Sequence, residues 1–130
     1  GGQRVITCDY IYMRVDEMYL LHAEAAAKTS RETQAKTVLT QLLTSRNSNI
    51  AYISTLTGAA LTDEIYKQTR IELWGEGKSY LAMKRNRATI NRGSNHLFQA
   101  GVAVPHNDAK LSYKIPQAEL LNNPFITEQN

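Results

Sequence analysis

Apolar side chains recur at helical spacing along the first third of the chain. Val15, Met18, Tyr19, His22, Ala25 and Ala26 follow an i, i+3, i+4 rhythm, and Leu20, Ala23 and Ala27 widen that stripe toward burial on all sides. The pattern predicts a first helix from about Tyr12 to Lys28, reached through an extended segment, Arg4 to Met13, rich in Val, Ile, Thr and Tyr. Thr29-Ser30-Arg31-Glu32 has the form of a capping box, in which a hydroxyl caps the N3 amide and Glu32 reaches back. A second helix is therefore expected to start at once and run to about Ser45, with Ala35, Val38, Leu39, Leu42 and Leu43 apolar. The two would form an antiparallel, tetratricopeptide-type pair with Tyr19, Leu20, Ala23, Leu39 and Leu42 facing inward. One such pair leaves a face uncovered, and stacked repeats need about three to be stable, so further pairs are expected upstream.

Asn47 to Gly58 is polar and turn-rich, a connector. Thr62 with Asp63 and Glu64 then offers an N-cap and acids suited to a positive helix end, and a third helix is expected over about Asp63 to Arg87. Its apolar rhythm continues through Gly75 and Gly77, although each interior glycine costs roughly 1 kcal/mol relative to Ala. The economical reading is close packing, with no room for a Cβ at either glycine and with Trp74 in the core. From Asn91 to Lys110 the chain holds Gly93, Gly101 and Pro105 and shows no period. Leu111 to Ile115 alternates like a short strand, and Pro116 is placed to open a last helical turn as its N1 residue. The expected fold is mostly α: a tetratricopeptide-like helix pair, a long third helix and a loop-rich tail.

Length and charge narrow the picture. With 130 residues the chain has the size of one domain, and no run approaches the roughly 18 apolar residues of a membrane span. Cys8, the sole cysteine, cannot form an internal disulfide. Val5-Ile6-Thr7-Cys8 lacks the charged and apolar regions that precede a lipoprotein cleavage site, so the cysteine reads as part of an extended strand. The formal charge is +3, with the excess concentrated in Lys84, Arg85, Arg87 and Arg92. Asn86 to Arg92 offers no aromatic for base stacking, which makes that cluster a solvated face and argues against nucleic acid.

Candidate chemistry is sparse. Glu72 and Glu76 share a helix face at i and i+4, but no Glu-x-x-His or second acidic helix completes a metal site. Arginines from other segments, with Arg14 and Arg46 as candidates, are the expected partners. His22 lies on the apolar face of the first helix and reads as a hydrogen-bonded core residue, while His96 and His106 lie far from it in the sequence. There is no Gly-x-Ser-x-Gly elbow, phosphate loop or Cys/His pairing, so the sequence argues against an enzyme and calls for no cofactor. Trp74, Tyr66 and Tyr80 fall in the predicted third helix, where packing is their expected work; Tyr10, Tyr52 and Tyr113 are the better candidates for exposed contacts.

Segments spread along the chain carry a resemblance. Tyr12-Met13-Arg14-Val15-Asp16-Glu17-Met18-Tyr19-Leu20-Leu21-His22-Ala23-Glu24-Ala25 resembles the Arg-x-x-Glu-x-Tyr-Leu-x-x-Ala-Glu-Ala helix of the SusD/RagB family, the outer-membrane nutrient-binding lipoproteins of Bacteroidetes. Ile71-Glu72-Leu73-Trp74-Gly75-Glu76-Gly77-Lys78-Ser79-Tyr80-Leu81-Ala82-Met83-Lys84-Arg85 is similar to a second family segment. Arg92-Gly93-Ser94-Asn95-His96-Leu97, Lys114-Ile115-Pro116-Gln117-Ala118-Glu119 and Asn122-Asn123-Pro124 resemble the family's ending. The departures are Gln68-Thr69-Arg70 for the usual Glu-Arg-Arg, and Lys78 and Ala82 for an Arg and an Asp. They leave the fold expectation intact and bear on how much of the family's ion-pair network this chain keeps.

The resemblance implies that residues 1–130 are the C-terminal domain of a larger, non-catalytic surface protein. That protein would bind an oligosaccharide or related nutrient on the external face of the outer membrane and deliver it to a SusC-like TonB-dependent transporter. It would meet the membrane only through an N-terminal lipid anchor absent from this chain. Arg14, Glu17, Tyr19, Glu24, Arg70, Glu72, Trp74, Gly75, Glu76, Gly77 and Pro116 are assigned structural roles, and no ligand-binding residue carries over because the family's vary with the ligand. The intact protein is expected to bind glycan without cleaving it, and the C-terminal region alone to bind weakly or not at all. A helical-repeat scaffold for a protein or peptide is the alternative, and a small hydrolase the more distant one.

Overall fold

The computed structural model describes Thr7, residues 12–46 and residues 49–129. The extended reading of Arg4 to Met13, with Cys8 and Tyr10, lies almost entirely outside them. The chain is mostly α and divides into two compact units, residues 1–79 and residues 80–130.

The first unit contains α1 (Val15–Lys28), α2 (Glu32–Thr44), a 3-10 turn (Ala51–Thr55) and α3 (Gly58–Glu72). The three-residue link between α1 and α2 turns the chain back on itself: Asp16 at the start of α1 meets Arg46 just beyond α2, with N···O 3.1 Å. Leu20, Ala23 and Ala26 of α1 pack with Ala35, Val38, Leu39, Leu42 and Leu43 of α2, with Ile53, and with Leu61, Ile65 and Leu73. Alanines at Ala23, Ala26 and Ala35, all fully buried, let the backbones approach closely. Each fully buried Leu or Ile contributes about 1.5–3 kcal/mol by leaving water.

Several features differ from the sequence reading. The expected capping box does not form. Arg31 N–H bonds Ala26 O at 2.8 Å and Ser30 N–H bonds Ala27 O at 3.4 Å, with Ser30 at φ +59, which is a Schellman closure of α1. Thr29 Oγ1 donates back to Ala25 O, and Glu32 reaches across to accept from the Gly58 N–H at 2.7 Å, capping α3 instead of α2. The apolar stripe Val15, Met18, Tyr19 and His22 is exposed, so Tyr19 and His22 are not core residues. The α1 residues that broadened the stripe, Leu20 and Ala23, are the ones that face α2 and α3.

The third helix also begins and ends earlier than predicted. It starts at Gly58, with Thr57 at the cap position making no side-chain cap of its own, and it stops at Glu72. Gly75 and Gly77 lie in the turn that follows, at φ +80 and +74, and a Cβ at either would meet nothing within 4 Å. The close-packing argument is therefore overturned: these glycines are selected by left-handed backbone, which an L side chain disfavours by about 1–2 kcal/mol. Trp74, in the same turn, is 84% exposed instead of buried.

The second unit holds most of α4 (Ser79–Arg85), a hairpin of β1 (Ile90–Asn91) with β2 (Ala103–Val104), a 3-10 turn (Ala109–Leu111) and α5 (Gln117–Asn122). α4 closes as α1 does, with Ala88 N–H on Met83 O at 3.0 Å and Arg87 at φ +50. The strands pair antiparallel, Ile90 with Val104 and Asn91 with Ala103, with all but Ile90 in the stretch that has no period in the sequence. Leu111 to Ile115 is not a strand: its first residue ends the 3-10 turn, and the rest is irregular. Pro116 occupies the cap of α5 instead of its first helical position, where its fixed φ serves equally well.

Candidate functional site

Polar side chains converge most densely at the joined ends of α1, α2 and α3. Arg14 precedes α1, where its side chain is free to swing toward the end of α3. Its Nη2 lies 2.6 Å from Glu72 Oε1 and 3.0 Å from Asp16 Oδ2, its Nη1 donates to the Glu72 carbonyl at 3.2 Å, and it also pairs with Glu76 Oε1. Arg46 closes the other side, with Nε 3.1 Å from Glu72 Oε2 and Nη2 3.1 Å from Asp16 Oδ2. The turn built on Gly75 and Gly77 brings Lys78 to Glu17, at 3.2 Å.

Hydrogen bonds from Arg46, partly opposed by burial and reinforced by the charges of Arg46 and Arg14, hold the Glu72 carboxyl below the ordinary carboxylate range. Bonds to Glu76 first, then to Asp16, raise the Arg14 guanidinium further above its usual value. Every carboxylate of the cluster is engaged by a cation, which leaves none placed as a general base or a metal ligand. Among the described residues no group of three His, Cys, Asp or Glu could hold a metal ion.

The remaining residues assigned from the sequence lie apart. Glu24, 4% exposed, pairs with Lys28 at 2.7 Å one turn on. Arg70 is exposed, with its guanidinium 5.7 Å from the Tyr66 ring centre. Tyr66 lies on α3, Trp74 in the turn after it and Tyr80 on α4, so the three do not share a helix. His22 meets Gln34 of α2, ring nitrogen to amide at 2.9 Å. Ala82 is buried, and Thr69 is buried with its hydroxyl on Ile65 O.

Two arrangements escaped the sequence. Tyr52 is half-buried and donates to Glu64 Oε1 at 2.7 Å, so it is not the exposed contact expected of it. Burial, then the bond to Glu64, raises its phenol; burial pushes Glu64 up, but bonds from Gln68, Lys67 and Tyr52 outweigh it and leave that carboxyl lowered. The other is a cavity of about 240 Å³ in the second unit, lined by Tyr80, Lys110, Leu111, Ser112 and Tyr113. The Tyr80 hydroxyl donates to Leu111 O, and the Asp108 carboxylate accepts the Lys110 N–H at 2.8 Å, fixing the 3-10 turn that forms one wall. Spacing could not reveal it, because its walls come from positions some thirty residues apart.

The SusD family profile matches residues 2–130. The chain belongs to the SusD family. No curated protein and no solved structure matches it. Membership in the SusD family supports a nutrient- or glycan-binding role in general and is consistent with a protein that is not an enzyme. The Arg14–Glu72–Arg46 cluster is built from two of the SusD-like segments, Tyr12 to Ala25 and Ile71 to Arg85, joined by an arginine from outside both. Among the described residues no helix is long and apolar enough to cross a membrane.

Proposed function

We propose that this chain is the C-terminal SusD/RagB-like domain of a non-catalytic component of an outer-membrane uptake complex. In this reading it helps bind an oligosaccharide at the cell's external face and deliver it to a SusC-like TonB-dependent transporter. The observation that carries the reading is the family match over residues 2–130. Two features support it: the densest polar cluster is consumed by internal ion pairs, and the cavity of the second unit offers aromatic and hydroxyl groups of the kind that hold sugars.

Calorimetry of the chain and of the full-length protein against a glycan panel, with analysis of the sugars afterwards, tests the reading. Intact oligosaccharide bound by the full-length protein, weakly or not at all by the chain, is the expected result, together with co-purification of a TonB-dependent transporter. Shortened sugars would overturn the non-catalytic role. A full-length protein that binds no glycan but holds a peptide tightly would favour a protein-binding scaffold.

A further inference from the structure

Trp74 is the sole tryptophan of the chain, and it is 84% exposed. Tryptophan carries a large apolar surface and is seldom left so open to water. Among the described residues its indole makes no hydrogen bond or ring contact. The turn that carries it is nonetheless well fixed. Glu76 N–H donates to Leu73 O at 3.2 Å, and Gly75 at φ +80 makes Leu73 to Glu76 a type II turn with Trp74 at its first corner. Leu73, 2% exposed, anchors one end in the core; beyond the other, Glu76 pairs with Arg14, and Lys78 with Glu17 at 3.2 Å. The indole therefore stands on backbone that is already ordered, and stacking against it costs little further conformational entropy.

A polar group adjoins the indole by covalent connection. The Gly75 N–H belongs to the peptide that joins it to Trp74, and among the described residues it donates to no acceptor. A Cβ built at Gly75 or Gly77 would meet nothing within 4 Å, so the backbone beside the ring is bare and open to a guest. A flat apolar ring next to a free donor matches a sugar, which offers a face of C–H bonds and a rim of hydroxyl oxygens. It matches a protein partner less well. The side chains that hold this turn, Arg14, Glu17, Glu76 and Lys78, are all charged, and the cores of protein interfaces are depleted of charge.

We propose that Trp74 is a stacking platform for a pyranose ring of a neutral glycan, with the adjoining Gly75 amide donating to an oxygen on the ring's edge. The rings it takes are those, such as β-linked glucose, whose equatorial substituents leave a C–H face clear. The proposal rests on the glycan-binding reading and adds a contact residue and a ring shape to it.

Because the chain has one tryptophan, its fluorescence and its single indole N–H signal in NMR read the site directly. Titration of the chain with cellotetraose is expected to shift both, together with the Gly75 amide, with a Kd of about 1–10 mM. Sorbitol, which has the hydroxyls but no ring face, should shift none of them. Read at the Gly75 amide, Trp74→Phe should weaken binding about threefold and Trp74→Ala about tenfold or more, while Lys36→Gln, on α2, should change nothing; circular dichroism checks that each variant is folded. Equal responses to sorbitol and cellotetraose, binding undiminished in Trp74→Ala, or shifts confined to residues outside 72–78 would overturn the platform, while the glycan-binding reading would stand. An emission shift that follows protein concentration alone would show a second copy covering the indole and would overturn it as well. If cellotetraose moves no signal of the chain, the platform falls; if the full-length protein also binds nothing from a glycan panel, the glycan-binding reading falls with it.

Discussion

Replacing Glu72 by Gln removes one of the two carboxylates, with Asp16, that both arginines of the α1–α3 junction share. Three side-chain bonds converge on it, from Arg14 Nη2 at 2.6 Å and from Arg46 Nε and Nη2 at 3.1 and 3.2 Å. Fully buried charge-assisted bonds contribute about 1.5–3 kcal/mol each, whereas exposed ion pairs contribute about 0.2–1 kcal/mol. The Glu72 side chain is only 15% exposed, but its partners are 31% and 41% exposed, so solvent screening pulls the value toward the lower range. We expect a loss of about 1–2 kcal/mol, or a melting temperature about 3–8 °C lower.

The pH dependence separates this cause from simple misfit. Arg46 hydrogen bonding, net of burial, lowers the carboxyl of folded Glu72, while the unfolded chain takes up its proton near pH ~4.3. Its stabilisation is therefore complete above that pH and is lost as pH falls through the folded value. Glutamine does not titrate, so the gap between the two proteins should be constant from about pH 8 to 5 and close below about pH 4. Urea and thermal unfolding followed by circular dichroism across that range would measure it. A gap under about 0.3 kcal/mol at pH 7, or one undiminished at pH 3, would refute the assignment.

Gly77→Ala and Gly77→Leu should cost about the same, roughly 1–2 kcal/mol each in urea unfolding, because the penalty lies in the left-handed φ and the surroundings are open; a Leu cost exceeding the Ala cost by more than about 1 kcal/mol would restore an overpacking explanation. Trp74→Ala should stay within about 0.5 kcal/mol of the parent, while Leu39→Ala, at a 1% exposed position, should cost about 2–5 kcal/mol; the reverse order would place Trp74 in the core after all.

The helix pair was legible because two periodic segments with a three-residue link leave few alternatives. The inward face of α1 was legible in part: Leu20 and Ala23 are buried as expected, whereas Tyr19 stays exposed because apolar residues surround that helix and its period alone does not choose among them. At Gly75 and Gly77 the apolar rhythm outlasts the helix, since periodicity is blind to the sign of φ. Thr29 to Glu32 fits a capping box by residue type, yet the same residues also fit the closure of the preceding helix, and tertiary contact with Gly58 decided where Glu32 went. The hairpin was invisible because strands of two residues have no period to read. The pairing of Glu72 with arginines could be reasoned from charge alone, whereas Asp16 and the Lys78–Glu17 pair needed coordinates.

The Arg14 clasp joins positions 58 and 62 residues apart in the sequence. Closing a loop of that length in a flexible chain has an entropic cost that grows only with the logarithm of its length, so a few well-placed charges offset much of it. A disulfide would perform the same closure, but the sole cysteine has no partner within the chain. The two fastenings fail under different insults. A reductant severs a disulfide and leaves guanidinium and carboxylate untouched; acid or concentrated salt releases the clasp, and neutralisation or dilution refastens it without a catalyst or an oxidant. The first unit thus has a closure indifferent to the redox state of its surroundings and answerable to their pH and ionic strength.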